Sequence, residues 1–179
     1  LSTKKIVITG GPGTGKSSII EELKRRRHIC FDEISRQVTL EARENGIEQL
    51  FLSQPLLFSK LLLEGRAKQY TEADTYKNTS VFLDRGLPDV LAYMDFYGSD
   101  YPESFVKVCR NSPYDTVFIV TPWEAIFQSD NVRYETFEQA EQIHEQLLNT
   151  YKMFGYDLVH IPFDTVKNRA DFILDSLNL

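Results

Sequence analysis

The chain has 179 residues, 42% of them hydrophobic and 12% aromatic, which suits one domain with a sizeable core and leaves no room for a second full one. A formal charge of −6 and a pI near 5.1 argue against a nucleic-acid protein whose affinity rests on a broad basic face. Two cysteines, Cys30 and Cys109, have no partner at metal-ligand spacing, the start shows no signal-peptide pattern, and no apolar run nears the roughly 20 residues that span a bilayer, so a reducing, cytoplasmic setting without membrane insertion is expected.

The first apolar run, Ile6-Val7-Ile8, lacks alternation, as expected of a strand covered on both faces. It leads into Gly10-Gly11-Pro12-Gly13-Thr14-Gly15-Lys16-Ser17, which fits G-x-x-x-x-G-K-[ST] in the strand-to-helix context that such a loop requires. The glycines let the backbone curl, so that amides of Gly11, Gly13, Thr14 and Gly15 can hold a nucleoside polyphosphate at a helix N-terminus. Lys16 is expected to reach the β and γ phosphates, Ser17 to offer its hydroxyl to Mg²⁺, and Ser18 to donate to an α-phosphate oxygen. Ile19, Ile20 and Leu23 form the stripe of the first helix, and Lys24-Arg25-Arg26-Arg27 closes it, where positive charge complements the helix dipole.

A short second strand is predicted at about 28–31, followed by Asp32-Glu33 and a helix through Arg36 and Leu40 to the breaker Asn45-Gly46. Leucines and phenylalanines crowd 50–70 and predict a helix with a wide apolar face, with a polar connection over 71–79. Ser80-Val81-Phe82-Leu83 is a third strand, and Pro88 suits the first turn of a helix to about Gly98. A helix over 101–109, a fourth strand over 116–120, a long amphipathic helix from Phe137 to Phe154, a fifth strand over 158–161 and a closing helix capped at Asp164-Thr165 complete the chain. Strands alternating with helices predict an α/β fold: a five-stranded parallel sheet with helices on both faces, a three-layer sandwich in a single domain.

Ligands of such sheets bind at the carboxyl ends of the strands. Asp84, ending an apolar strand, is placed to order Mg²⁺ and its water, and Arg85 offers a planar fork that Asp89, four residues on, can aim. Glu33 is a candidate to accept a hydroxyl proton, and Arg36, three residues later, to grip the acceptor with it. Between the fourth strand and the long helix, about 124–136, lies a lid segment in which Arg133 would offset phosphoryl charge and Asp130 would shape the loop. Trp123 and His144 read better as packing residues than as site residues.

These residues resemble the compact P-loop ATPase and kinase domains related to bacterial ribosylnicotinamide kinase, within the nucleoside and nucleotide kinase group of P-loop NTPases. The resemblance rests on Gly10 to Ser17, Glu33-x-x-Arg36, Asp84-Arg85-Gly86 with Asp89 and Tyr93, and Asp130-x-x-Arg133. It implies ATP and Mg²⁺ at the loop, an acceptor near the second and third strand ends, and a mobile lid. Asn131 stands where the lid turn would have glycine, a departure that asparagine tolerates because it enters left-handed backbone. Phosphoryl transfer from ATP to a small, nucleoside-like acceptor is the leading expectation, with Lys16, Glu33, Asp84, Arg85 and Arg133 as catalytic residues and Glu33, Arg36, Arg85 and Asp89 on the acceptor. The alternative is a regulatory nucleotide-binding NTPase without such an acceptor. Asp95-x-x-Gly98 and Asn168-Arg169-Ala170-Asp171 fall inside or at the end of helices, not after strands, so a GTPase switch is poorly supported. A ring-forming mechanical ATPase is disfavoured because arginine follows Asp84 where glutamate is expected and no helical lid domain follows the core.

Overall fold

The unbroken apolar runs become a sheet. In the computed structural model, which describes residues 2–127 and 135–179, the strands are β1 (Lys4–Gly10), β2 (Ile29–Phe31), β3 (Ser80–Asp84), β4 (Thr116–Val120) and β5 (Leu158–Ile161). All pairings are parallel, in the order β2-β3-β1-β4-β5. The helices are α1 (Lys16–Arg25), α2 (Ser35–Glu44), α3 (Leu50–Ser53), α4 (Pro55–Ala73), α5 (Leu87–Phe96), α6 (Glu103–Asn111), α7 (Phe137–Met153) and α8 (Val166–Leu177). The chain leaves β1 toward β2 and later crosses β1 to reach β4. The carboxyl ends of β1 and β3 therefore flank a topological switch point, the place where ligands of open α/β sheets bind.

Alternation along each strand serves both faces. Ile6, Ile8, Phe82, Phe118 and Val120 pack on Ile19, Ile20 and Leu23 of α1 and on Ala170, Ile173 and Leu174 of α8. Val7, Leu83, Val117 and Ile119 pack on the other side against Leu62, Leu63, Leu87, Leu91, Ile143, Leu147 and Tyr151. Thr136 caps α7, taking the Gln139 amide while the Gln139 side chain accepts from the Thr136 amide, and Thr165 caps α8 as the sequence suggests.

The helix expected over 50–70 is two helices, because Gln54 is extended (φ −141°, ψ 66°) ahead of Pro55, which disfavours helical backbone in the residue before it. The helix then runs to Ala73, three residues into the expected polar connection. The basic run that closes α1 is tied down by acids: Arg25 and Arg26 bond Glu22, Lys24 bonds Glu21 and Asp32, and Arg26 reaches Asp171 at 2.5 Å. Among the described residues no helix is long and apolar enough to cross a membrane.

α5 and α7 meet closely at Gly86. A Cβ there would lie 2.6 Å from the Tyr151 hydroxyl and 3.0 Å from a Tyr114 ring carbon. Gly86→Ala is expected to destabilise the protein by roughly 1–3 kcal/mol through overpacking, read as a lower urea midpoint with an unchanged slope.

Candidate active site

The loop after β1 is built as its sequence requires. Gly13 (φ 69°) and Gly15 (φ 78°) take left-handed backbone, and Gly15 caps α1. The Thr14 hydroxyl donates to the Gly11 carbonyl at 3.0 Å and braces the curve from within. A single 3₁₀ turn, Glu124–Ile126, brings Ile126 and Phe127 against the loop. A Cβ on Gly13 would meet the Phe127 ring at 2.3 Å, and one on Gly15 would meet Ile126 at 3.2 Å. Ser17 and Ser18, in the first turn of α1, are exposed on the open side, whereas Lys16 is 7% exposed.

The Lys16 ammonium contacts the carboxylate of Asp84, which is equally buried at the end of β3. Burial, with the Arg85 charge nearby, pulls Lys16 down to about 7, against the opposing pull of Glu33 and Asp89. Direct contact with Asp84 favours the charged form. Ser17 and Asp84 together are a hydroxyl and a carboxylate, hard oxygen donors of the kind Mg²⁺ takes when phosphate oxygens and water fill its remaining positions. Among the described residues no cluster of three or more His, Cys, Asp or Glu side chains could hold a metal ion.

Arg85 follows with φ 72°, a left-handed conformation rare for a side chain of its size, held by its amide bond to the Ile8 carbonyl. The turn sends its guanidinium sideways into a cluster. Arg85 Nε lies 2.5 Å from Glu33 Oε2, Nη1 lies 3.3 Å from Asp89 Oδ1, and the guanidinium sits 5.2 Å from the Tyr93 ring centre. The other Glu33 oxygen takes Arg66 Nη2 at 2.9 Å and the Ser35 amide at 3.1 Å. Burial alone would raise the Glu33 carboxyl, but Arg66, Arg85 and Lys16 overcome it and lower it to about 2.

Asp89, expected on the acceptor, is 0% exposed and borders the cavity beside the cluster, while its oxygens are bonded to the protein: Thr9 at 2.5 Å, Tyr151 at 2.5 Å, the Gly86 amide at 2.9 Å and Arg85. It aims Arg85 and links that arginine to the residue preceding the loop. The helix face that Glu33 and Arg36 were expected to share is a correction. Helix α2 starts only at Ser35, so Glu33 lies in the turn before it, and Arg36 is exposed and outside the crevice. Arg66 of α4, which the sequence reading did not single out, bonds Glu33. Its signal was present: Leu62, Leu63 and Tyr70 put Arg66 on the buried stripe of α4, where a cation requires a carboxylate. Asp130, Asn131 and Arg133 lie outside the described residues. Trp123 stacks on Phe163, ring centres 5.2 Å apart, and His144 is 7% exposed in the core, both as packing residues.

Beside this cluster opens a cavity of about 510 Å³. Phe51, Phe58, Tyr93 and Tyr97 wall it, and Glu33, Arg66 and Arg85 stand at its polar end. A flat, partly apolar ligand bearing a hydroxyl matches that lining.

Because Glu33 is depressed in the folded protein, its contribution to stability is complete above the unfolded value near 4.5 and is lost as pH falls toward 2. Glu33→Gln, which leaves two arginines without their carboxylate, is expected to cost roughly 3 kcal/mol at neutral pH. The gap between wild type and variant should close between pH 4.5 and 2 in urea titrations at stepped pH.

The family model described as AAA domain matches residues 5–169. No curated protein matches the chain in sequence. Among solved structures, deoxyadenosine kinase from M. mycoides with products dCMP and a flexible dCDP bound is 20% identical with a TM-score of 0.70, covering 97% of this chain and 98% of that one. The NadR protein in complex with NR is 16% identical with a TM-score of 0.73, covering 98% of this chain and 50% of that one, so this chain spans half the length of NadR. NadR in complex with NAD and AMP-PNP gives 16% and 0.72, over 99% of this chain and again 50% of the other. At these identities the likeness is one of fold, the P-loop fold of nucleoside kinases. The family match runs from Lys5 in β1 to Arg169 in α8 and takes in the loop, Glu33, Arg66, Asp84, Arg85 and Asp89; by it, the chain belongs to the AAA domain family of P-loop proteins.

Proposed function

We propose that the protein transfers the γ-phosphoryl group of ATP to the hydroxyl of a small, nucleoside-like acceptor. The observation that carries this reading is the aromatic cavity opening at Glu33, Arg66 and Arg85, one residue along the chain from the Asp84 that contacts the loop lysine. The kinase reading gives this pocket an occupant, which a switch that responds to nucleotide alone does not require. The fold likeness to a deoxyadenosine kinase and to NadR, the latter crystallised with AMP-PNP and with NR, supports ATP as donor and a nucleoside as acceptor.

In this reading the loop amides and Lys16 hold the β and γ phosphates, and Lys16 exchanges Asp84 for phosphate oxygens. Ser17 and Asp84 would hold Mg²⁺, which when bound neutralises phosphate charge. Glu33 receives a hydrogen bond from the acceptor hydroxyl and aims its oxygen at the γ-phosphorus. The new P–O bond forms, the bond to the bridging oxygen breaks, ADP leaves, and the hydroxyl proton passes to Glu33. A carboxylate lowered to about 2 is a weak base, so the proton moves only once the bond to phosphorus has formed, as a loose transition state allows. Arg85 and Arg66 fix Glu33, and Arg85 stands ready to offset charge on the phosphoryl group. Arg133 is proposed as a further cation from the lid segment.

The test is incubation with ATP, Mg²⁺ and a panel of ribo- and deoxynucleosides, with products read by mass spectrometry. Acceptor-dependent ADP and a nucleoside monophosphate are expected, with Lys16→Ala slower by about 10²–10³. ADP release indifferent to every acceptor would favour the regulatory alternative. The rate profile should also show no acid limb from Glu33 above about pH 4, since that group stays ionised there.

A further inference from the structure

Arg169 is 2% exposed and ranks first by volume among the fully buried side chains of the described residues. It belongs to α8, an element that the crevice otherwise does not use. Ile173, one turn on, and its neighbour Ala170 are buried with it, so it belongs to the stripe that α8 turns toward the sheet. Its Nη2 donates to the Thr14 carbonyl at 3.0 Å, and its Nη1 lies 2.9 Å from where a Cβ on Gly15 would be. Both contacts fall on one peptide unit, the one joining Thr14 to Gly15 at the mouth of α1. Among the described residues no carboxylate lies within ion-pair distance of Arg169, and its Nε has no hydrogen-bond partner.

A guanidinium is a costly way to pin one helix to a sheet. Ala170, Ile173 and Leu174 already do that by apolar contact, and a buried cation without a carboxylate is unfavourable in the unliganded protein. The peptide it holds gives the cost a purpose. No peptide bond in the described chain is cis, so the Thr14 carbonyl and the Gly15 N–H point in opposite directions. Holding the carbonyl outward on Arg169 therefore turns the Gly15 N–H toward the hollow of the loop. Bonding that carbonyl to a cation also polarises the amide and makes its N–H a stronger donor.

We infer that Arg169 is a positioning residue for the nucleotide polyphosphate: from behind the loop it orients the Thr14–Gly15 peptide and supplies a positive charge that a bound polyphosphate compensates. This rests on the reading of Gly10 to Ser17 as a nucleotide site, and the experiment separates the two. ATP with Mg²⁺ is titrated calorimetrically into the full chain and into Arg169→Met, Arg169→Lys and Arg169→Gln, with the thermal midpoint of each unliganded protein measured alongside. Arg169→Met is expected to weaken ATP binding about thirtyfold, the scale of one lost hydrogen bond to a charged group. Arg169→Lys should recover most of the affinity, and the effect should shrink from ATP through ADP to AMP. If wild type binds ATP and Arg169→Met binds it equally well with only a lower midpoint, Arg169 merely tethers α8 and the inference is overturned. Should the Met variant fail to fold, the Lys and Gln variants decide: equal affinities overturn the inference, and a Lys variant about tenfold tighter sustains it. Absence of ATP binding by wild type would remove the nucleotide reading itself, and this inference with it.

Discussion

A carboxylate sealed completely from water survives only where donors surround it, and at Asp89 four of them do. Thr9 comes from the end of β1, Gly86 and Arg85 from the turn after β3, and Tyr151 from the far helix α7. One side chain thus fixes the relative placement of two strand ends and the helix covering them. Removing any donor leaves a buried oxygen short, and removing Asp89 leaves several groups short together. The network is therefore high in stakes and rigid for that reason. Arg85 is the outward product of this arrangement, its position set by Asp89 on one side and Glu33 on the other.

Charge in the crevice is arranged in pairs that alternate between the two halves of the site. Lys16 meets Asp84, Glu33 meets Arg66 and Arg85, and Arg85 returns to Asp89. In the unliganded protein each buried charge in this series has an opposite neighbour. In the proposed reaction a polyphosphate entering the loop would compete with Asp84 for Lys16, and a carboxylate released in this way would be free to meet a divalent cation. The apolar wall of Phe51, Phe58, Tyr93 and Tyr97 beside the charged end lowers the local dielectric and strengthens all these interactions.

Much of this was legible in the sequence where chemistry is written locally. The loop carries its own spacing, and the strands announce themselves by unbroken apolar runs; Thr116–Val120 and Leu158–Ile161 fall where those runs do. Asp84 and Arg85 were legible because a strand end is a defined place in this architecture. Arg66 was legible only through register, since a cation in a leucine-rich helix looks like the solvated edge of that helix until it is set against Leu62 and Leu63. Arg36 misled for the opposite reason: spacing of three residues implies a shared face only inside a helix, and α2 begins after Glu33. Asp89 was recognised as the aim of Arg85, but its burial depends on Thr9 and Tyr151, 80 and 62 residues away in the chain.

The left-handed backbone at Arg85 carries an evolutionary consequence. Glycine alone adopts that conformation without strain, so the position sits under a standing pull toward a smaller residue, and the arginine persists against a local gradient in folding energy. Glycine would ease the turn by roughly 1 kcal/mol, but it would take a cation from Glu33 and a donor from the sealed Asp89, a loss of about 3 kcal/mol or more. Selection for heat tolerance alone would accordingly keep the guanidinium, because robustness and the shape of the crevice draw on the same side chain.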